Sequence, residues 1–401
     1  MTPLALAWRG IVRQPARAAL AVLGVATVSA LLFDMLMLSQ GLFISFGHLL
    51  EETGFDVRVT ATKALPMLGP RVRGAEKASR ELSSLPEVAS VLPMRIEWAS
   101  MATNDDEELD VIFIGVQSAP EQPWTILEGD GLMDRVGDAQ PPVLLNAYLA
   151  EVLDADPGDT LSLRGRCDGA GNALPTTEFR VAGVADFPYD SSGTPRVAVT
   201  LQAFRHTCGL DAEDAVDVLL VTSAPGAGPD GAVAAIRAAR PDLHPLTNRQ
   251  IMNRVQQTEF SYFRQIAFVL ASITLFFAFL LIATLLAVSV NQRFGEIAAL
   301  RALGFTRWRI VANLFCESAL LVGAGGLLAL PAGGLLALWL DGILRQMPGI
   351  PTHLHFFVFE PRALLLYLGL LALTGLLAAL YPIHLAIRLP IAATLRNEVV
   401  S

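Results

Sequence analysis

Few residues of this chain have types and spacings that could do chemistry, and their arrangement excludes more than it suggests. Hydrolysis of a nucleotide at a P-loop needs Gly-x-x-x-x-Gly-Lys-Ser/Thr, with backbone N–H groups around the phosphates and a lysine reaching them. The only lysines are Lys63 and Lys77 and neither follows such a loop, so the chain does not hydrolyse ATP by that route. No Gly-x-Ser-x-Gly elbow and no His-Glu-x-x-His helix occurs, which leaves the scattered Ser, His and Asp as ordinary surface and turn residues. His353-x-His355 and His206-x-Cys208 lack further ligands at zinc spacing. Asp105-Asp-Glu-Glu108 lacks the alternating ligands and central glycine of a calcium loop; a solvated hairpin loop between two strand-like runs accounts for it. The sequence therefore assigns no catalytic, cofactor or metal site, and the chain is not read as an enzyme.

One stretch does have the make-up of a working surface. Residues 291–310 place Arg293, Glu296, Arg301, Arg307 and Trp308 beside an apolar stripe of Ile297, Leu300 and Leu303. Alanine and leucine favour a short helix there, and Gly304 is placed to end it. Such a helix can lie on lipid or dock into the groove of a partner, and the residues alone leave both open. Two acids, Asp34 and Glu317, stand inside long apolar runs, where a carboxylate needs a partner or water. Asp34 falls near the outer end of its run, at the level of headgroups or of a contact with a second protomer or with substrate. Glu317 is expected to tie its helix to a neighbouring arginine rather than to relay protons.

The elements that position these residues are set by composition. Only 17% of the 401 residues are charged against 53% hydrophobic, where a soluble chain carries about 25% charge. Ala18–Leu38 and Ile266–Val290 contain one charge between them, while Ile310–Leu340 and Ala363–Ile387 contain only Glu317 and His384. Each run exceeds the roughly 20 residues needed to cross a bilayer. Residues 39–264 hold 32 of the 38 acids and 18 of the 29 bases, a net charge of −14, so an acidic domain is set in a basic, apolar frame. An acidic folded part argues against nucleic-acid binding. Arg9, Arg13 and Arg17 precede the first run, and Arg293, Arg301, Arg307 and Arg309 lie between the second and third. By the positive-inside tendency both termini and residues 291–309 are cytoplasmic, which puts the acidic domain outside. The first apolar run is too long for a cleaved signal peptide, so an uncleaved anchor is expected.

Stalks are expected on either side of the domain, where Leu42, Phe46 and Leu49, then Ile251, Val255 and Tyr262, keep an apolar face. Between them the sequence alternates strand-like runs (55–60, 88–103, 109–117, 179–187, 216–222) with helical ones (75–85, 146–153, 231–239), a mixed α/β pattern. Cys167 and Cys208 both lie in this domain and can pair in an oxidising compartment, though spacing does not decide whether they do.

These segments resemble a known family. Arg293-x-x-Glu296-Ile-Ala-x-Leu-Arg301-Ala-Leu-Gly304, followed by Trp308 and the embedded Glu317, is similar to the signature of FtsX/MacB-type ABC transporter permeases. Leu6-Ala-Trp-Arg9-Gly-Ile-Val-x-x-Pro15-x-Arg17 leading to Leu23-Gly24 resembles their amphipathic entry helix and first span. Val143-Leu-Leu-Asn-x-x-Leu-Ala150, Gly158-Asp159-Thr160 and Phe179-Arg-Val-x-Gly183-Val resemble their extracytoplasmic core domain. The resemblance implies four transmembrane α-helices with a large α/β extracytoplasmic domain inserted between helices 1 and 2. It divides the chain into a cytoplasmic entry helix (1–17), transmembrane helix 1 and stalk (18–50), the periplasmic core domain (51–246), stalk and transmembrane helix 2 (247–290), the coupling helix (291–309), transmembrane helix 3 (310–340), an extracytoplasmic loop (341–362), transmembrane helix 4 (363–387) and a cytoplasmic tail (388–401). It implies two copies of a separate ABC ATPase, holding ATP and Mg, docked on Arg293, Glu296, Ile297, Leu300, Arg301, Leu303, Gly304, Arg307 and Trp308. A second permease copy or related permease and a periplasmic adapter or lipoprotein-binding protein complete the implied set. Members with a fused ATPase carry an N-terminal nucleotide domain, whereas this sequence opens at the entry helix, so the chain is expected to be more similar to the LolC/LolE or DevC subgroup than to full-length MacB. The implied activity is mechanotransmission: export or extraction of a lipoprotein, lipid or peptide outside the inner membrane. The alternative is a regulator that moves a cell-wall hydrolase or reports a peptide.

Overall fold

The computed structural model describes residues 3–64, 69–102, 108–117, 119, 121–133, 140–167, 174–257, 261–291, 306–347 and 351–388. The chain divides into two compact units, one of residues 1–42, 260–342 and 356–401, the other of residues 43–259 and 343–355.

The first unit is built of apolar helices. α1 (Pro3–Arg13) is amphipathic, with Ala7 buried while Trp8 and Val12 are exposed. α2 (Pro15–Glu52) opens on a proline, which suits the first helical position because its missing N–H would be unpaired anyway. At 1.5 Å per residue its 38 residues extend about 57 Å, well beyond the hydrocarbon thickness of a bilayer. Its last ten residues belong to the second unit. Three more long helices occur farther along the chain. In chain order, after α2 and six shorter helices, they are α8 (Ser261–Asn291), α9 (Arg307–Leu344) and α10 (Pro361–Arg388). All four long helices contain windows long and apolar enough to cross a membrane. Their outer faces leave Phe268, Phe276, Leu335, Trp339 and Leu365 more than half exposed. Water would penalise so continuous an apolar surface, and lipid does not.

Small residues close this bundle. A Cβ on Gly325 would lie 2.7 Å from Val25 Cβ and 3.1 Å from Val22 O, and one on Gly333 would lie 3.0 Å from Ala30 O. α2 and α9 therefore touch backbone to backbone along their length, as small residues permit in membrane helices. Phe33 meets Tyr367 edge-on with ring centroids 5.3 Å apart, and the Tyr367 hydroxyl donates to Gly326 O at 3.1 Å.

The second unit is an α/β domain. Its strands are β1 (Val57–Thr60), β2 (Val72–Arg73), β3 (Val88–Ala102), β4 (Glu108–Val116), β5 (Thr125–Gly129), β6 (Pro142–Asn146), β7 (Thr160–Gly165), β8 (Thr176–Asp186), β9 (Arg196–Thr200), β10 (Ala215–Val216), β11 (Val218–Ser223) and β12 (His244–Thr247). Ten of them form one sheet in the order β12-β1-β11-β3-β4-β9-β6-β8-β5, with β7 bridging β3 and β8, while β2 and β10 pair separately. β3 and β4 pair antiparallel from Met94↔Val116 to Ala102↔Glu108, the hairpin expected around the acidic stretch, whose residues 103–107 lie outside the described ones. β4 with β9 and β6 with β8 run parallel.

Short helices cover this sheet: α3 (Ala75–Ser83), α4 (Ala147–Leu153), α5 (Leu201–Thr207), α6 (Gly228–Ala239) and α7 (Asn248–Gln257). α3 and α6 bury Ala78, Leu82, Val233 and Ile236 with Val57, Val59, Leu219 and Val221. α4 and α5 bury Leu149 and Phe204 with Phe113, Val143, Phe179 and Val197. α5 sits so close to β4 that a Cβ on Gly115 would fall 2.5 Å from the Phe204 ring. Cys167 and Cys208 are joined by a disulfide inside this second cluster.

Candidate functional site

A polar junction gathers three distant segments of the domain unit. Asn248, the first residue of α7, donates from Nδ2 to the carbonyl oxygens of Leu50 and Phe55, each at 3.0 Å. Its backbone N–H donates to Asp56 O at 3.0 Å. Arg58 on β1 bonds the Asn248 side-chain oxygen and reaches Thr53 Oγ1 and the Tyr189 hydroxyl, each at 3.3 Å. The end of α2, the start of α7 and the turn after β8 are thus held by one amide and one guanidinium.

The same turn is anchored below in the sheet and carries a fourth segment above. Asn146 caps α4 by accepting from Leu149 N at 3.1 Å and also accepts from Arg196 N at 3.1 Å. Its Nδ2 donates to both Asp190 carboxylate oxygens at 2.8 Å and to Thr194 O at 2.9 Å. Asp190 is 9% exposed and Asn146 fully buried. Burial pushes the Asp190 carboxyl above its ordinary range, even though Asn146, Arg196 and the Ser191 N–H oppose the shift. Burial likewise lowers Arg196 from its ordinary value. Residues 351–355, which follow α9, dock on this turn: Thr352 N donates to Asp190 O at 2.7 Å, Pro351 bridges Ser191, and His353 Nε2 lies 2.8 Å from Asp186 Oδ1. His355 N donates to Ser45 Oγ at 2.7 Å.

The junction has no chemical apparatus. It holds no nucleophile beside a base, and among the described residues no group of three His, Cys, Asp or Glu could hold a metal. What it can do is keep four chain segments in fixed register, because its buried polar groups are costly to leave unpaired.

Of the residues singled out from sequence, Arg293, Glu296, Ile297, Leu300, Arg301, Leu303 and Gly304 lie outside the described residues. Arg307 opens α9, and Trp308 beside it is 76% exposed, an apolar ring free to meet lipid or a partner. Asp34 is 2% exposed, and its Oδ1 has no hydrogen-bond partner. It follows Phe33, whose partner Tyr367 stands six residues into α10, roughly 9 Å from the Pro361 end at 1.5 Å per residue. Asp34 is therefore enclosed in the bundle. Glu317 on α9 is 4% exposed. Asp341, read from the sequence only as a charge of the loop between the last two spans, lies within α9, is 3% exposed and accepts from Phe356 N at 2.6 Å, fixing the entry to α10.

Fold and junction together define a multi-pass membrane protein that carries a large α/β domain, with no catalytic constellation among its described residues. Residues 18–239 match the family model of the MacB-like periplasmic core domain, and residues 268–391 match that of the FtsX-like permease C-terminal region. The chain belongs to the FtsX/MacB-type ABC transporter permeases. No curated protein matches it. Among solved structures it is similar to the periplasmic region of MacB from Actinobacillus actinomycetemcomitans, with 11% identity over 51% of this chain and 95% of that one and a TM-score of 0.39. It is also similar to the extracellular domain of the noncanonic ABC-type transporter YknZ from Gram-positive bacteria, at 12% identity, 48% and 99% coverage and a TM-score of 0.35. A domain of a permease protein from Porphyromonas gingivalis matches at 15% identity, 48% and 87% coverage and a TM-score of 0.33.

Proposed function

We propose that this chain couples ATP hydrolysis by a separate cytoplasmic ABC ATPase, present in two copies and holding ATP and Mg, to export or extraction of an amphiphilic substrate outside the inner membrane. Two permease copies, or this chain and a related permease, complete the transporter, with a periplasmic adapter or lipoprotein-binding protein as a further partner. The ATPase docks on residues 293–308. Both termini are cytoplasmic, and the domain, inserted between the first and second spans, lies on the oxidising side, in keeping with the Cys167–Cys208 disulfide.

The observation that carries this reading is the polar junction. Three segments of the domain unit lead along the chain toward the apolar helices: the end of α2, α7, and the segment after α9. All three are fastened to one sheet through Asn248, Arg58 and the Asp186–Thr194 turn. Such fastening suits a device that passes displacement from helices to an outer domain, the mechanotransmission mode. A channel needs a continuous polar path through the bundle, and the described core is mainly apolar, built on Val25, Phe33, Met37, Ile282, Tyr367 and Leu371, with Asp34, Glu317 and a few hydroxyl side chains buried among them.

Co-purification from native membranes tests the proposal, comparing the unmodified chain with Glu296→Ala/Leu300→Asp. An ABC ATPase retained by the unmodified chain and lost from the variant is the expected result, and co-eluting lipid, lipoprotein or peptide then names the substrate. Recovery of no ATPase with either form, under conditions that keep other membrane complexes intact, overturns it.

A further inference from the structure

The two edges of the ten-stranded sheet are finished differently. β12 carries Pro245, and its residues alternate between half-buried and buried, a guarded edge. β5 at the other end has every residue exposed, with Ile126 at 37% and Leu127 at 54%. Among the described residues it pairs with β8 on one side only, and a bulge leaves Leu127 outside the register. No proline or lysine blunts it.

Beside this edge lies a groove of about 750 Å³ between the 52–55 turn and residues 119–133. Its floor is Phe55, Trp124 and Leu132, all buried, and its walls include the exposed Ile126 and Met133. The charged groups in the lining are the exposed Glu52 and Glu121, and no basic side chain lines it among the described residues. Glu128 adds a further carboxylate on the strand itself. Like charge on both partners works against a second copy seating here edge to edge, whereas an open strand edge beside apolar pockets is the geometry that takes up an extended peptide.

We propose that β5 and the adjoining groove bind an extended segment of a peptide substrate with alternating apolar and basic side chains, added to the sheet as a further strand. Its backbone pairs with the free edge of β5, its apolar side chains fill the groove over Trp124, and its cations face Glu52, Glu121 and Glu128. That the peptide is transported rests on the permease reading above; the binding does not.

The test uses the full chain in nanodiscs of zwitterionic lipid and a fluorescein-labelled octapeptide of alternating Lys and Val, with empty nanodiscs subtracted. Comparators are the alternating Glu-Val and Lys-Ser octapeptides and a Lys-Val octapeptide N-methylated at alternate residues. The expected result is affinity for Lys-Val about ten-fold or more above each comparator, reduced by about as much in Ile126→Asp and in Glu52→Lys/Glu121→Lys, with unchanged circular dichroism. Equal binding of the N-methylated peptide, or undiminished binding by both variants, overturns the proposal. So does sedimentation showing that Ile126→Asp dissociates paired copies, because a second copy then occupies the edge. Peptide binding in a chain that recovers no ATPase sinks transport and leaves the groove standing; recovery of the ATPase without peptide binding does the reverse.

Discussion

The amide of Asn248 donates to the carbonyl oxygen of Leu50 at 3.0 Å, so the first residue of α7 is bonded to the last turns of α2 across nearly 200 residues of sequence. The same nitrogen serves Phe55 O. Replacing it by alanine takes the side-chain partner from Phe55 O and from Arg58 Nη1, while Leu50 O keeps the Thr53 hydroxyl and Arg58 Nη2 keeps Thr53 and Tyr189. At about 1 kcal/mol or more for each group left unsatisfied, Asn248→Ala should lower domain stability by about 2 kcal/mol, part of it recovered by water at this half-buried position. Asn248→Asp keeps the acceptor for Arg58 but cannot donate, and it too should melt earlier than the unmodified chain. An aspartate variant melting with wild type would show that the donated bonds contribute nothing.

Ser191 and Pro351 form an antiparallel bridge. Residues opposed in this way have Cα atoms about 4.5–5.5 Å apart, within disulfide range. Ser191→Cys/Pro351→Cys should therefore cross-link in membranes without a bifunctional reagent, read as a mobility change reversed by reductant. Failure of the pair to oxidise would mean that the segment after α9 does not stay on the domain.

Asp190 sets a pH dependence of definite sign. Its folded pKa is raised above the ordinary 3.8, so between 3.8 and the folded value the native state holds a proton that the unfolded chain has released. Stability must then fall as pH rises through that window, by no more than about 1.4 kcal/mol per pH unit. Asp190→Asn keeps an acceptor for Asn146 and Ser191 but does not titrate. Melting temperature against pH should be flatter for this variant just above pH 4, and parallel curves would refute the assignment. Asp242 carries the opposite sign, since Arg240 holds it below its ordinary value, but at 59% exposure it contributes little.

The apolar helices were legible because length alone separates a bilayer-crossing run from a core helix. Ala18–Leu38 and Ile310–Leu340 become α2 and α9, extended at the ends by residues no hydropathy window favours. Strands of the hairpin type, β3 and β4, were legible from their length and from the acidic stretch that separates them, whereas β6, β7 and β9 were missed. Each has only five or six residues and lies among turns or against a helix, and for so short an apolar run periodicity does not separate a strand from a buried helix turn. The junction was illegible for a different reason. Arg58 and Asn248 are 190 residues apart, Asn146 and Asp190 are 44 apart, and their types are common in turns and caps. Residues 341–362 read as a plain loop, because nothing local signals that Thr352 and His353 will find Asp190 and Asp186.

The Cys167–Cys208 bond encloses a 41-residue separation. In the chain-entropy account, closing such a loop in the unfolded state contributes about 4 kcal/mol. Both residues sit in the α4/α5 cluster, 2% and 4% exposed. Cys167→Ser/Cys208→Ser should thus unfold at markedly lower denaturant, and reductant should shift wild type toward the variant while leaving the variant unmoved. Coincident curves for oxidised and reduced wild type would remove the bond from the stability of the domain.

Contact between α2 and α9 gives the sharpest test of the bundle, because backbone has nowhere to go. A side chain at Gly325 begins 2.7 Å from Val25 Cβ and 3.1 Å from Val22 O, so a methyl already forces the helices apart. Gly326 makes an internal control: its Cβ would meet the end of the Leu371 side chain at 2.2 Å, and a leucine can turn away. Overpacking against backbone costs about 1–3 kcal/mol, and a clash that a rotamer change relieves costs less. Gly325→Val should therefore lower the melting temperature of the purified chain more than Gly326→Ala does. In the proposed coupling, Gly325→Val should also uncouple ATP hydrolysis from substrate release while the ATPase still co-purifies, because the docking segment at 293–308 is untouched. Equal melting of the two variants would mean that α2 and α9 do not pack through Gly325.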